Sequence, residues 1–366
     1  MCIPRIIDDL IPVILETNDR HWWPRDLQRL ALVSPGWLGP VRRRLYSCPT
    51  IHTFFTCRLL SRTLSNNPHL RLLVHGIDLR PASDLHQVVT AEDMSSLRYI
   101  LSLPGLQSVV LGGHLAVCAE QYLHMMPYAH SITSLSISGQ QTSGDQTPLH
   151  QQHSSSLEWN EVIAFKFTNL KRLRLTNLSL TIAPPSLPYT MSIEDIAFDN
   201  VAVVDGMLFD MLQDSWNTIR TFSVSAKASL DQDEQLRWTL ESCEKLEKLH
   251  YELRDCLGQG IIFSDEIPPL PSLRQLHLMD VNLNPQSLLL IKERLSSLEE
   301  LSVSGRTLRI SSNDWANFVQ SGLPTSLRSL HTSAGTNVPP FAHWTKEMKG
   351  QVAEACHSKG IKFTCV

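Results

Sequence analysis

The side chains best placed to do chemistry are three histidines, His250, His277 and His331. Lys248 and Gln275 each precede one of them by two residues, Glu300 stands in the same relation to Ser302, and Arg172 and Arg174 form the corresponding pair earlier in the chain. Imidazole has an ordinary pKa of about 6.5, so a row of histidines would make a binding surface responsive to pH. A metal centre is a weaker reading. On adjacent strands about 4.8 Å apart, His250 and His277 could share an ion, but His331 falls two strands further on and no third ligand is assured. GxSxG, HExxH, P-loop and GxGxxG motifs are absent. Gly258-Gln259-Gly260 reads as a turn, and Ser192-Ile193-Glu194-Asp195 as a strand start rather than a carboxylate pair for acid–base work. The eight cysteines form neither CxxC nor CxxC…HxxxH spacings, which argues against structural zinc and a disulfide framework. The expectation is a binding protein, not an enzyme, with no cofactor and no metal.

A repeat is what would bring these residues into a row. Leucine supplies 55 of 366 residues, an excess that asks for a repetitive explanation. The pattern apolar-x-x-apolar-x-apolar starts at Val74, Leu106, Ile132, Leu170, Ile193, Ile219, Leu246, Leu273 and Leu298, with a degraded copy at Leu327. Most starts are separated by about the 20–29 residues of a leucine-rich repeat. The last two apolar positions of each copy lie two apart, on one face of a short strand. Helical spacing between copies is clearest in 235–246 and 286–298. One strand and one helix cannot bury a core alone, but stacked units can, giving an α/β leucine-rich-repeat solenoid with a parallel sheet and helices behind. The positions between the buried leucines then face the concave side. There Arg172, Arg174, Lys248, His250, Gln275, His277, Glu300 and His331 form the expected target-binding surface.

The register has an internal test. At the second position, consecutive copies carry Lys171, Glu194, Arg220, Glu247, Arg274, Glu299 and Arg328, a strict alternation of sign. In parallel neighbours each charge would lie beside an opposite one, worth roughly 0.2–1 kcal/mol per pair. Two segments interrupt the period. Residues 140–156 are polar and Gln/Ser/His-rich and read as a mobile loop; 261–270, with Pro268-Pro269, reads as an extended connector. At the end, 345–359 has helical spacing and 361–365 alternates as a closing strand.

The first 50 residues follow a different pattern. Three short helices are expected at about 5–17, 25–34 and 36–46, with Pro24 and Pro35 near helix boundaries. A bundle this small buries little surface by itself and should lean on the solenoid or on a partner. Its Ile3-Pro4 opening, Asp26-Leu27, Leu32-Val33-Ser34, Trp37 and Arg43-Arg44-Leu45-Tyr46 resemble the fungal form of the F-box. Ile11-Pro12 is a second equivalent for the opening. The whole chain is similar to F-box/leucine-rich-repeat proteins: an F-box at 1–50, a linking helix at 51–69 and repeats over 70–366 with the insertion at 140–156. The resemblance implies that Ile3, Pro4, Ile6, Leu10, Leu30, Val33 and Trp37 dock a Skp-type adaptor of a cullin-RING ubiquitin ligase, while the repeats choose an unknown target protein. The alternative is a repeat scaffold that acts independently of ubiquitination, with the first 50 residues as its cap.

Composition narrows the partners. With 32 basic against 36 acidic residues there is no concentrated positive charge for nucleic acid. No apolar run approaches a membrane span, and the N-terminus lacks the pattern of a signal peptide. A cytoplasmic or nuclear location is expected.

Overall fold

The computed structural model describes residues 5–17, 23–81, 89–139, 155–187, 191–213, 215–226, 230–254, 269–305, 308–321, 326–335 and 343–365. The chain forms two compact units, Met1–Leu135 and Ser136–Val366.

The first unit begins with three helices, α1 (Arg5–Thr17), α2 (Pro24–Ala31) and α3 (Pro35–Ser47). Ile11 and Leu15, one helical turn apart, meet Leu27 and Val41 in a small buried cluster, with Leu30, Ala31, Trp37 and Leu45 partly buried around it. Pro24 and Pro35 occupy first helical turns, where the missing N–H costs nothing. Pro12 instead lies inside α1, beyond the first turn, where a proline costs about 3 kcal/mol. Then come β1 (Thr50–Ile51), α4 (Phe54–Asn66), α5 (Pro68–Arg71), β2 (Gly76–Leu79), α6 (Ala91–Leu101), β3 (Ser108–Gly112) and α7 (Ala119–His124). The linking helix expected at 51–69 is thus split between α4 and α5. β1, β2 and β3 pair in parallel. Thr90 and Asp93 close a capping box at the start of α6, and Arg58 of α4 reaches Asp93 at 3.3 Å, tying the two helices together. β4 (Ser134–Ser138) spans the division between the units.

The second unit contains β5 (Ser156–Trp159), α8 (Glu161–Lys166), β6 (Arg172–Ile182), β7 (Asp195–Asp205), α9 (Leu208–Leu212), β8 (Thr221–Ala226), α10 (Leu230–Ser242), β9 (Lys248–Leu253) and β10 (Gln275–Met279). It continues with α11 (Pro285–Arg294), β11 (Glu300–Ser304), α12 (Ser312–Gln320), β12 (Ser329–Thr332), α13 (Lys346–Ser358) and β13 (Lys362–Cys365). From β6 to β13 each strand pairs with the next, always in parallel, so this unit is a solenoid-like α/β stack. The ten expected copies are all strands, and their thirty apolar-pattern positions are at most 8% exposed. That burial is the driving term: each fully buried Leu or Ile contributes about 1.5–3 kcal/mol relative to an exposed one.

β6 and β7 run longer than the pattern predicts. Asn177 and Asn200 adopt left-handed backbone angles, and Asn200 Nδ2 donates to Asn177 Oδ1 at 2.9 Å. The kink resets the alternation so that Leu178, Leu180 and Ile182 are buried. β5, a strand the repeat pattern does not announce, pairs with this second half of β6, placing Leu157 beside Leu180 and Trp159 beside Ile182. Most of the expected loop at 140–156, and of the connector at 261–270, lies outside the described residues. The closing helix and strand are α13 and β13.

Candidate interaction surfaces

In the second unit, parallel pairing aligns the residues between the buried positions into rows. One row runs Arg172, Asp195, Thr221, Lys248, Gln275, Glu300, Ser329. The neighbouring row runs Arg174, Ala197, Ser223, His250, His277, Ser302, His331. All eight expected target-binding residues therefore share one face of the sheet, in two groups. Arg172 and Arg174 on β6 are separated by β7 and β8 from the cluster on β9–β12.

That cluster is organised around one carboxylate. Glu300 Oε1 lies 3.8 Å from His277 Nε2 and 3.6 Å from His331 Nε2, and His331 Nε2 is also 2.8 Å from Ser329 Oγ. The His250 and His277 rings sit with centroids 6.2 Å apart. Partial burial pushes the His277 pKa below its ordinary 6.5; Glu300 opposes the shift, while His250, His331 and Lys248 add to it. Among the described residues no group of three His, Cys, Asp or Glu is arranged to hold a metal ion. Beside this cluster, Glu252 accepts from the Ser225 hydroxyl at 2.6 Å and lies 3.7 Å from Arg254, which also grips Asp199 at 2.7 Å.

At the strand starts, the alternating charges form a ladder. Backbone N–H groups of Glu194, Arg220, Glu247, Arg274, Glu299 and Arg328 each donate to the carbonyl of the preceding member at 2.8 Å. Side chains bridge Lys171 to Glu194 at 3.0 Å, Arg220 to Glu247 at 2.9 Å and Arg274 to Glu299 at 3.9 Å. Four of these charges, Arg220, Glu247, Arg274 and Glu299, also line a polar groove with Lys245 and Ser326, which the repeat pattern alone does not single out.

In the first unit, the expected adaptor-facing residues divide. Leu10 is 50% exposed and Val33 66%, whereas Leu30 and Trp37 pack partly against the bundle core. Ile6 lies in α1, and Ile3 and Pro4 fall outside the described residues. Val13, Ile14 and Leu32, which are not among the expected residues, are exposed as well. Their signal is helical phase: Leu10, Val13 and Ile14 follow i, i+3, i+4 spacing, offset from the Ile11–Leu15 stripe that faces the core.

No known family model matches the chain, and no curated protein is detectably similar to it.

Proposed function

We propose that the chain is the target-recognition subunit of a Skp-cullin-F-box ubiquitin ligase, with the N-terminal bundle docking the adaptor and the repeats holding a target protein. The carrying observation is that Leu10, Val13, Ile14, Leu32 and Val33 stay exposed on a bundle whose own core is already closed by Ile11, Leu15, Leu27 and Val41. Several large apolar side chains presented by so small a body are the signature of a surface awaiting a partner. The F-box-like residues supply the identity of that partner. The chain performs no chemistry in this reading; it raises the effective concentration of a target near the ligase.

Co-purification of the full chain with a Skp adaptor tests the reading. Robust association is expected, and Leu32→Glu or Val33→Glu should weaken it about 30-fold or more, as loss of a central interface anchor does. Absence of association at micromolar concentration overturns it. The competing reading, a ligase-independent scaffold capped by the bundle, is favoured by the inward packing of Leu30 and Trp37. Target binding that persists in the absence of any adaptor association would select it.

A further inference from the structure

We propose that the open face of β9–β12 is a proton-gated docking surface for an acidic peptide segment, with Lys248, His250, His277 and His331 as its cationic groups and Glu300 as its internal counter-charge. This rests on reading the repeats as the target-binding half of the chain and names the chemistry of what they bind.

With neutral imidazoles, the two rows over these four strands carry one cation, Lys248, against one anion, Glu300, so a carboxylate-bearing peptide meets no net attraction. Protonation adds three cations and no anion. Glu300 cannot neutralise them, because the same oxygen, Oε1, faces both His277 and His331. The His250 ring lies tilted against that of His277, so the two imidazoles face each other across neighbouring strands.

Neighbouring elements do not make up the deficit. On β8, Thr221 and Ser223 stand beside Lys248 and His250, and both are uncharged. Glu252 on β9 is engaged by Ser225 and Arg254, and Asp199 on β7 by Arg254. On β13, Lys362 and Thr364 stand beside Ser329 and His331, adding another cation. With Lys248, Arg254 and Lys362 set against Glu300, Glu252 and Asp199, the face is balanced while the imidazoles are neutral, and the three protonated histidines are its cationic surplus. The histidines span three strand spacings, about 14 Å, which four or five residues of extended peptide cover at about 3.3 Å each.

The direction of coupling follows. Burial, Lys248 and the other two histidines hold His277 below its ordinary pKa. Peptide carboxylates oppose that, so binding takes up protons, and by linkage the same coupling tightens binding as pH falls.

The test uses the full chain and a rhodamine-labelled peptide of alternating Glu and Gly, whose carboxylates, with pKa about 4.3, stay ionised down to about pH 5.5. Fluorescence anisotropy should show affinity rising at least about tenfold between about pH 7.5 and pH 5.5, the effect of one proton taken up over a single pH unit. The triple variant His250→Gln, His277→Gln, His331→Gln should flatten that profile. Glu300→Gln should tighten acid-side binding and move the midpoint to lower pH, because His277 loses the carboxylate that favours its protonation; a purely structural role for Glu300 would not move the midpoint. Binding that is absent at acid pH, independent of pH, or unaltered in the triple variant overturns the inference. Adaptor association measured on the same preparation separates the two readings. Adaptor binding without acid-dependent peptide binding overturns only this inference, and the reverse overturns only the ligase reading.

Discussion

Reversing one charge in the strand-start ladder distinguishes a cooperative row from a set of independent salt bridges. Glu247 is bridged to Arg220 at 2.9 Å, and the N–H of Arg274 donates to its carbonyl from the next strand. Glu247→Lys turns both of its neighbour relations from opposite to like. Two unit charges 4 Å apart interact by about 1 kcal/mol in bulk water, and exposed pairs contribute about 0.2–1 kcal/mol net, so the reversal should cost about 1–2 kcal/mol. If the bridges were independent, adding Arg220→Glu would restore the pair and recover the whole loss. In a row coupled across every strand it should not. The double variant restores an opposite pair at 220 and 247 but places an acid beside Glu194 and leaves a lysine beside Arg274, so it holds two like contacts, as many as the single variant, and little of the loss should return. Lys171→Glu, at the first member of the ladder, disturbs one ladder neighbour and should cost about half as much as the central reversal. Urea unfolding reads these differences. With a slope of about 3 kcal/mol per molar, the single reversal moves the midpoint by about 0.3–0.7 M. In about 1 M salt, where the Debye length is about 3 Å, the shifts should largely disappear. Full recovery in the double variant, or shifts indifferent to salt, would refute the ladder.

Two further outcomes follow from burial. Leu276→Ala, at a fully buried strand position, should cost about 2–5 kcal/mol in denaturant unfolding, whereas Leu289→Ala, on a residue 44% exposed in α11, should stay within about 0.5 kcal/mol. Burial pushes the Cys57 and Cys243 thiols up to about 12 and that of Cys356 to about 11, with Asp93 adding to the shift at Cys57. All three should resist a thiol reagent at about pH 8 until the chain is unfolded. Because the folded pKa values lie above the ordinary 9.0, this contribution to stability is intact below pH 9 and is lost as pH rises toward about 12, which unfolding across alkaline pH will measure.

The strands were legible because a period of two, anchored by buried leucines, admits one register, and a slip of one residue would turn Leu276 outward and His277 inward. The charge alternation marked the same register independently. Helix ends were less legible. Leu295 and Leu298 extend the apolar spacing of α11 in sequence, yet the helix ends at Arg294, since these leucines are buried in the turn and at the next strand start. β5 is not legible in the repeat pattern because Ser156-Leu157-Glu158-Trp159 adjoins the polar 140–156 stretch and pairs with a part of β6 that the pattern does not include. The open-face rows could be written down from the register alone, but the sharing of Glu300 by two histidines depends on rotamers that no spacing encodes. In the bundle, apolar residues occupy both faces of α1, so sequence could name adaptor candidates without separating the outward Leu10 and Val33 from the inward Leu30 and Trp37.

The uniform pairing of β6 to β13 also has a kinetic consequence. Partners range from Arg172 and Asp195, 23 residues apart, to Ser329 and Lys362, 33 apart. Closure entropy grows only with the logarithm of loop length, so the whole range differs by about 0.3 kcal/mol. Chain connectivity therefore favours no particular strand pair as the folding nucleus, and the choice passes to side-chain contacts between neighbouring strands, such as Phe198 against Phe222.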